Sequence, residues 1–128
     1  MIIYLIGNPL LDCDSMPLKL KPHLQKAFPD VKFLEFDPTE DWPDDREPIF
    51  IDTVINLKKP KLFTDVDPFE SAGAKNLSVH GFDFYQELEL RQKVGLLQKF
   101  WLIGIPPNSK MMPVAQQTIE LIKLFFKF

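Results

Sequence analysis

The stretch Ile2-Ile3-Tyr4-Leu5-Ile6-Gly7-Asn8-Pro9 opens the chain with an unbroken apolar run, cut off by a glycine, an asparagine and a proline. A half-solvated strand would alternate polar and apolar residues, and a surface helix would show a polar stripe. An unbroken short run ended by turn residues therefore reads as a strand buried on both faces and followed by a loop. Pro48-Ile49-Phe50-Ile51 repeats the pattern and delivers Asp52 at its carboxyl end. Phe100 to Ile105 repeats it again, and Val31 to Phe36 supplies a further strand. Leu62-Phe63 fits a short edge strand, because Pro60 and Pro68 limit how far it can pair.

Helical spacing appears between these runs. Leu20, Leu24, Ala27 and Phe28 recur three and four apart within Leu18 to Phe28, with Pro22 tolerable only in a first turn and Pro29-Asp30 as a stop. Phe84, Leu88 and Gly95 mark a second helix over Asp83 to Leu97. Pro113 opens a last one, apolar at Val114, Ile119, Leu121, Ile122, Leu124, Phe125, Phe126 and Phe128, with a thin polar stripe through Gln116, Glu120, Lys123 and Lys127. So apolar a helix is either sandwiched in the core or used in self-association or substrate docking. Asp37 to Pro43 reads as a polar, proline-bounded turn. Doubly buried strands alternating with helices predict an α/β fold: a three-layer α/β/α sandwich with a largely parallel, twisted central sheet of about five strands. In such sheets, ligands collect at the carboxyl ends of the strands.

At 128 residues and 45% hydrophobic content, the sequence fits one domain spanning 1–128, with a core large enough to need no disulfide or structural metal. Fifteen basic against 18 acidic residues give a formal net charge of −3, and no basic block could coat a phosphate backbone, so nucleic acid is not an expected partner. No apolar run reaches the roughly 20 residues that cross a bilayer. A lone cysteine, Cys13, and the lack of a secretion signal predict the reducing cytoplasm. Twelve prolines against five glycines stiffen the loops.

The strand-end rule singles out two places on one rim: Gly7 to Asp14 after the first strand, and Asp52-Thr53 after the third. A carboxylate that follows a buried strand is desolvated unless it is paired, hydrogen-bonded or bound to a cation, so Asp52 either belongs to a site or caps a turn. Asp12, Cys13 and Asp14 offer two hard oxygen donors and one soft sulfur, or else form a solvated turn that caps the first helix. His80, in Ser78-Val79-His80-Gly81, stands before a helix, where a histidine is either structural or a ligand; His23 reads as a surface residue. The sequence lacks His-Glu-x-x-His, Gly-x-Ser-x-Gly and a glycine-rich phosphate loop. Two carboxylates and one imidazole on three separate loops suit a borderline divalent ion such as nickel or zinc, with positions open for water or substrate.

On these residues the chain resembles the hydrogenase maturation endopeptidases. Gly7-Asn8-Pro9-Leu10-Leu11-Asp12-Cys13-Asp14 resembles the opening Gly-Asn-x-Leu-x-x-Asp-Asp/Glu motif of that family. Ile51-Asp52-Thr53-Val54 is similar to its strand-ending aspartate, and Ser78-Val79-His80-Gly81-Phe82 to its Ser/Thr-x-His segment. Leu102 to Pro107 is similar to its last strand and turn, and Glu35 to Glu40 to the form expected of an archaeal member. The resemblance implies an endopeptidase of aspartic type by family classification. It would remove the carboxyl-terminal extension of the [NiFe]-hydrogenase large-subunit precursor once nickel is inserted. It also implies that Asp14, Asp52 and His80 serve as both catalytic residues and metal ligands. By the same resemblance the nickel would be borne by the substrate, with cadmium or zinc able to stand in for it, and the protein is expected to be a monomer or weak homodimer. Cys13 and Ser15-Met16-Pro17 depart from the family pattern, which leaves open whether Asp12 or Cys13 also contacts metal. Two rivals remain: a non-catalytic nickel- or precursor-binding chaperone of the same fold, and an unrelated α/β hydrolase or nucleotide-binding domain.

Overall fold

In the computed structural model of the chain, the structure describes residues 1–7, 15–37, 42–54, 57–64, 82–107 and 110–126, with the side chains at 82, 83 and 85 excepted. Five strands, β1 (Ile2–Leu5), β2 (Lys32–Glu35), β3 (Ile49–Thr53), β4 (Lys61–Phe63) and β5 (Trp101–Ile105), form one sheet in the order β2-β1-β3-β5-β4. All neighbours pair in parallel except β4, which runs antiparallel on the edge beside β5. Among the described residues three helices accompany it: α1 (Met16–Ala27), α2 (Phe82–Lys93) and α3 (Met111–Phe125).

Strand alternation divides the apolar runs between two cores. Ile3, Leu5, Ile49, Ile51, Ile103 and Ile105 face α1 and α3, meeting Leu20 and Leu24 from the first helix and Val114 and Ile122 from the second. Tyr4, Phe50 and Leu102 face the other way, toward Phe84 and Leu88 of α2. Each such side chain contributes about 1.5–3 kcal/mol by leaving water. The three-layer sandwich is therefore a direct result of β1, β3 and β5 carrying apolar residues on both faces through most of their length.

The second core is aromatic. The Phe50 and Phe84 rings meet edge to face at 5.3 Å, and Trp42 stacks on Phe84 at 5.7 Å. The Arg91 guanidinium lies 4.6 Å from the Trp42 ring, while its Nε donates to Glu87 Oε1 at 2.8 Å. Trp42, expected only as part of a polar turn, thus closes this core from the side.

Several boundaries differ from the sequence reading, each for a local reason. Helix α1 begins at Met16, so Pro17 occupies the first turn, where its missing N–H costs nothing, while Pro22 lies inside the helix. Helix α2 stops at Lys93, not Leu97. Gly95, at φ 82°, turns the chain left-handed, and the N–H groups of Gly95 and Leu96 donate back to the Gln92 and Arg91 carbonyls in a Schellman closure. Helix α3 starts at Met111 with Pro113 in its first turn. It buries Val114, Ala115, Thr118 and Ile122 but leaves Leu124 75% and Phe125 53% exposed, so it is not sandwiched. Strand β3 runs through Asp52 to Thr53, because β5 keeps pairing with it as far as Ile105.

Candidate functional site

The strand order reverses direction at β1. Chain leaving β1 pairs first with β2 on one side, and the rest of the sheet then builds on the other. The carboxyl ends of β1 and β3 consequently flank the point where a doubly wound sheet opens a crevice. Gly7 leaves the first of these ends and Asp52-Thr53 forms the second.

The hydrogen bonds show how the crevice begins. Pairing between β1 and β3 runs in register to Leu5 opposite Ile51, and its final rung is the Ile6 N–H donating to the Ile51 carbonyl at 2.8 Å. The next N–H on β3 belongs to Thr53. It donates instead to Asp52 Oδ1 at 2.8 Å. The Thr53 N–H is thus satisfied by the neighbouring Asp52 carboxylate, where the ladder to β1 ends. Asp52 is fully buried, and a charge-assisted bond from a backbone N–H offsets part of the desolvation of its carboxylate. On the other side Asp52 pairs in register with Gly104 of β5. A Cβ at position 104 would sit 2.9 Å from Leu57 Cδ1, 2.9 Å from Val54 Cγ2 and 3.1 Å from Phe63 Cε2, so glycine is what lets these side chains close over the strand beside Asp52.

Of the three residues expected to form the site, Asp52 stands at this strand end, buried and hydrogen-bonded. Asp14 and His80 lie outside the described residues, as do Asp12 and Cys13. Ser15, which follows Asp14, is the buried N-cap residue of α1, and α2 starts at Phe82, two positions after His80. Phe84, in the first turn of α2, packs on Phe50, which precedes Asp52 by two residues on the same face of β3. His23 sits on α1, partly exposed. Among the described residues no three of His, Cys, Asp and Glu gather closely enough to hold a metal ion.

Thr53 belongs to the strand-end pair that the sequence singles out, though the sequence assigns it no role there. It is fully buried, and among the described residues its Oγ1 has no hydrogen-bond partner. A separate cavity of about 300 Å3, lined by Pro43, Asp44, Arg46, Arg91, Gly95 and Leu96, lies near the amino-terminal ends of β3 and β5. There Arg46 Nη2 donates to the Gly95 carbonyl at 3.4 Å and helps close the end of α2, a structural role.

These features define a doubly wound α/β domain with a buried carboxylate at its switch point, a class in which the strand-end crevice is the place for ligands. Among solved structures the fold matches that of the hydrogenase maturating endopeptidase HybD from E. coli, with 20% identity, a TM-score of 0.62, and coverage of 94% of this chain and 85% of that one. It also matches the hydrogenase 3 maturation protease, at 14% identity and a TM-score of 0.62 over 97% and 87% of the two chains. A third match is the [NiFe] hydrogenase maturation protease HycI from Thermococcus kodakarensis KOD1, at 18% identity and a TM-score of 0.54 over 96% and 88%. At these identities the likeness is one of fold. No family profile matches the sequence, and no curated protein does. Among the described residues no helix is long and apolar enough to cross a membrane.

Proposed function

We propose that this chain is an endopeptidase of the hydrogenase maturation family, acting on the carboxyl-terminal extension of a [NiFe]-hydrogenase large-subunit precursor after nickel has been inserted. The observation that carries the reading is a fully buried aspartate, Asp52, at the switch point of a fold shared along nearly the whole chain with three maturation proteases. The motifs at Gly7 to Asp14 and at Ser78 to Phe82 support it from the sequence side.

In this reading nickel arrives as part of the substrate. Asp14, Asp52 and His80 complete its coordination and fix the neighbouring peptide in place, converting a loose encounter into a set geometry. Processing is then conditional on metal loading. Two oxygen donors and one nitrogen donor match the preferences of nickel, with cadmium or zinc as substitutes. The sequence offers no motif that pairs a serine or cysteine nucleophile with a base, which favours water as the attacking group and leaves Asp52 to serve as metal ligand or as general base. The water oxygen adds to the peptide carbonyl carbon, the C–N bond breaks, and the amine leaves with a proton.

Calorimetric titration of nickel or cadmium into the wild type and into Asp14→Ala, Asp52→Ala and His80→Ala tests the ligand set. Near-stoichiometric binding that each substitution abolishes is the expected result. Binding that survives all three would remove these residues from the metal site.

A further inference from the structure

Single exposed apolar side chains are ordinary on a protein surface, but a group of them beside a cavity is not. At the end of α2, Leu90, Val94 and Leu96 are 54%, 60% and 57% exposed. The Val94 N–H donates to the Leu90 carbonyl at 3.0 Å, so these two share one helix face, one turn apart. The Schellman closure then brings Leu96 back onto the same helix end, its N–H donating to the Arg91 carbonyl at 2.9 Å. Leu96 also lines the cavity of about 300 Å3. An apolar ridge thus stands directly beside a hollow.

The charges around the hollow divide into two kinds. Arg91 pairs with Glu87 at 2.8 Å and Lys93 with Glu89 at 2.9 Å, so these charges on the helix are satisfied within the chain. Asp44 and Arg46 line the hollow from the loop before β3; both are exposed, and among the described residues neither makes an ion pair. The Arg46 guanidinium is tethered by its 3.4 Å bond to the Gly95 carbonyl, which leaves its remaining N–H groups open. One rim therefore carries an unpaired acid, an unpaired base, an apolar ridge and a hollow.

A contact between two identical surfaces about a two-fold axis needs each surface to hold both halves of every interaction, and this rim does. We propose that it is the contact between two copies of this chain: Leu90 and Val94 of each copy enter the hollow of the other, and Asp44 of each meets Arg46 of the other. Apolar burial supplies the attraction, and the acid–base pair, made twice by symmetry, fixes the register. The Gln98 N–H donates to the Arg46 carbonyl at 2.8 Å and the Trp101 N–H to the Pro48 carbonyl at 3.1 Å, which sets the rim at the amino-terminal ends of β3 and β5. That is the pole opposite Asp52. Both strand-end crevices therefore stay open in the pair, and the contact does not depend on the peptidase reading.

Sedimentation equilibrium tests it on wild type, Asp44→Arg, Arg46→Asp, the double variant carrying both, and Val94→Asp. At least half of the wild-type chains are expected to be paired at about 1 mM, an affinity suited to a small, transient contact. Each single charge reversal sets like charges opposite each other twice and is expected to weaken pairing about tenfold. The double variant restores opposite charges and is expected to return to within a few-fold of wild type. Val94→Asp, at an exposed position that tolerates a polar side chain in the single copy, is expected to sediment as a monomer with an unchanged Tm. A wild type that is monomeric at about 1 mM overturns the proposal and leaves the rim to a partner of another kind. Pairing that survives Val94→Asp, or a double variant as weak as the single ones, overturns it too, since the copies would then meet elsewhere or in another register.

Discussion

Placing a methyl group at Gly104 should destabilise the fold by an amount the geometry bounds. The added Cβ would lie 2.9 Å from Leu57 Cδ1, 2.9 Å from Val54 Cγ2 and 3.1 Å from Phe63 Cε2, where carbon atoms in contact prefer roughly 3.5–4.0 Å. Leu57 Cδ1 is the end of a flexible side chain and can swing aside. Val54 is fixed by its branched Cβ and is 1% exposed, so its methyl has little room to retreat. Overpacking of this kind costs about 1–3 kcal/mol. For a chain of this length, between the size classes for which the slope is known, each kcal/mol lowers Tm by roughly 3–5 °C. Gly104→Ala is thus expected to melt roughly 3–15 °C below wild type, measured by circular dichroism or calorimetry. A double-mutant cycle with Val54→Ala makes the test specific, because shaving the clashing methyl should recover part of the loss and give a coupling of about 0.5 kcal/mol or more. An unshifted Tm for Gly104→Ala, or costs for the two substitutions that simply add, would refute the claim that glycine is required for this contact.

Two further outcomes follow from the second core. Burial first, and the negative charge of Asp45 second, push the Tyr4 phenol above its ordinary pKa. The folded state then holds the phenolic proton more tightly than the unfolded state. The resulting stability is whole below pH 10 and is lost as pH rises through the folded value, so Tyr4→Phe should flatten the decline in urea midpoint that wild type shows beyond about pH 10. Arg91→Ala removes both the ion pair with Glu87 and the cation over Trp42. It should cost about 1 kcal/mol in urea unfolding and, in a Trp101→Phe background, shift Trp42 emission to the red; an unchanged spectrum would mean the guanidinium does not shield the ring.

How much of this could be read from the sequence depends on whether the deciding forces are local. Strands β1, β3 and β5 were legible because burial on both faces demands apolar residues at every position, as at Ile49, Phe50 and Ile51. The edge position of β4 was legible from Pro60. Asp52 was legible as a strand-end acid, though it lies inside β3, because the register that carries the strand to Thr53 is set by β5, some fifty residues away. Trp42 was missed because its partners, Phe84 and Arg91, come from a helix that local spacing does not connect to it. Thr53 was singled out with Asp52 by its place at the strand end, but its unpaired hydroxyl was not legible, because that is a property of the folded surroundings.

The most direct test of the central claim is the mass of a [NiFe]-hydrogenase large-subunit precursor after incubation with this protein, measured with and without nickel in the precursor and with wild type and Asp52→Ala. Shortening at the carboxyl terminus of the nickel-loaded precursor alone, by wild type alone, is the predicted result. A loaded precursor that keeps its full mass, or one that Asp52→Ala shortens as fast as wild type does, would contradict it.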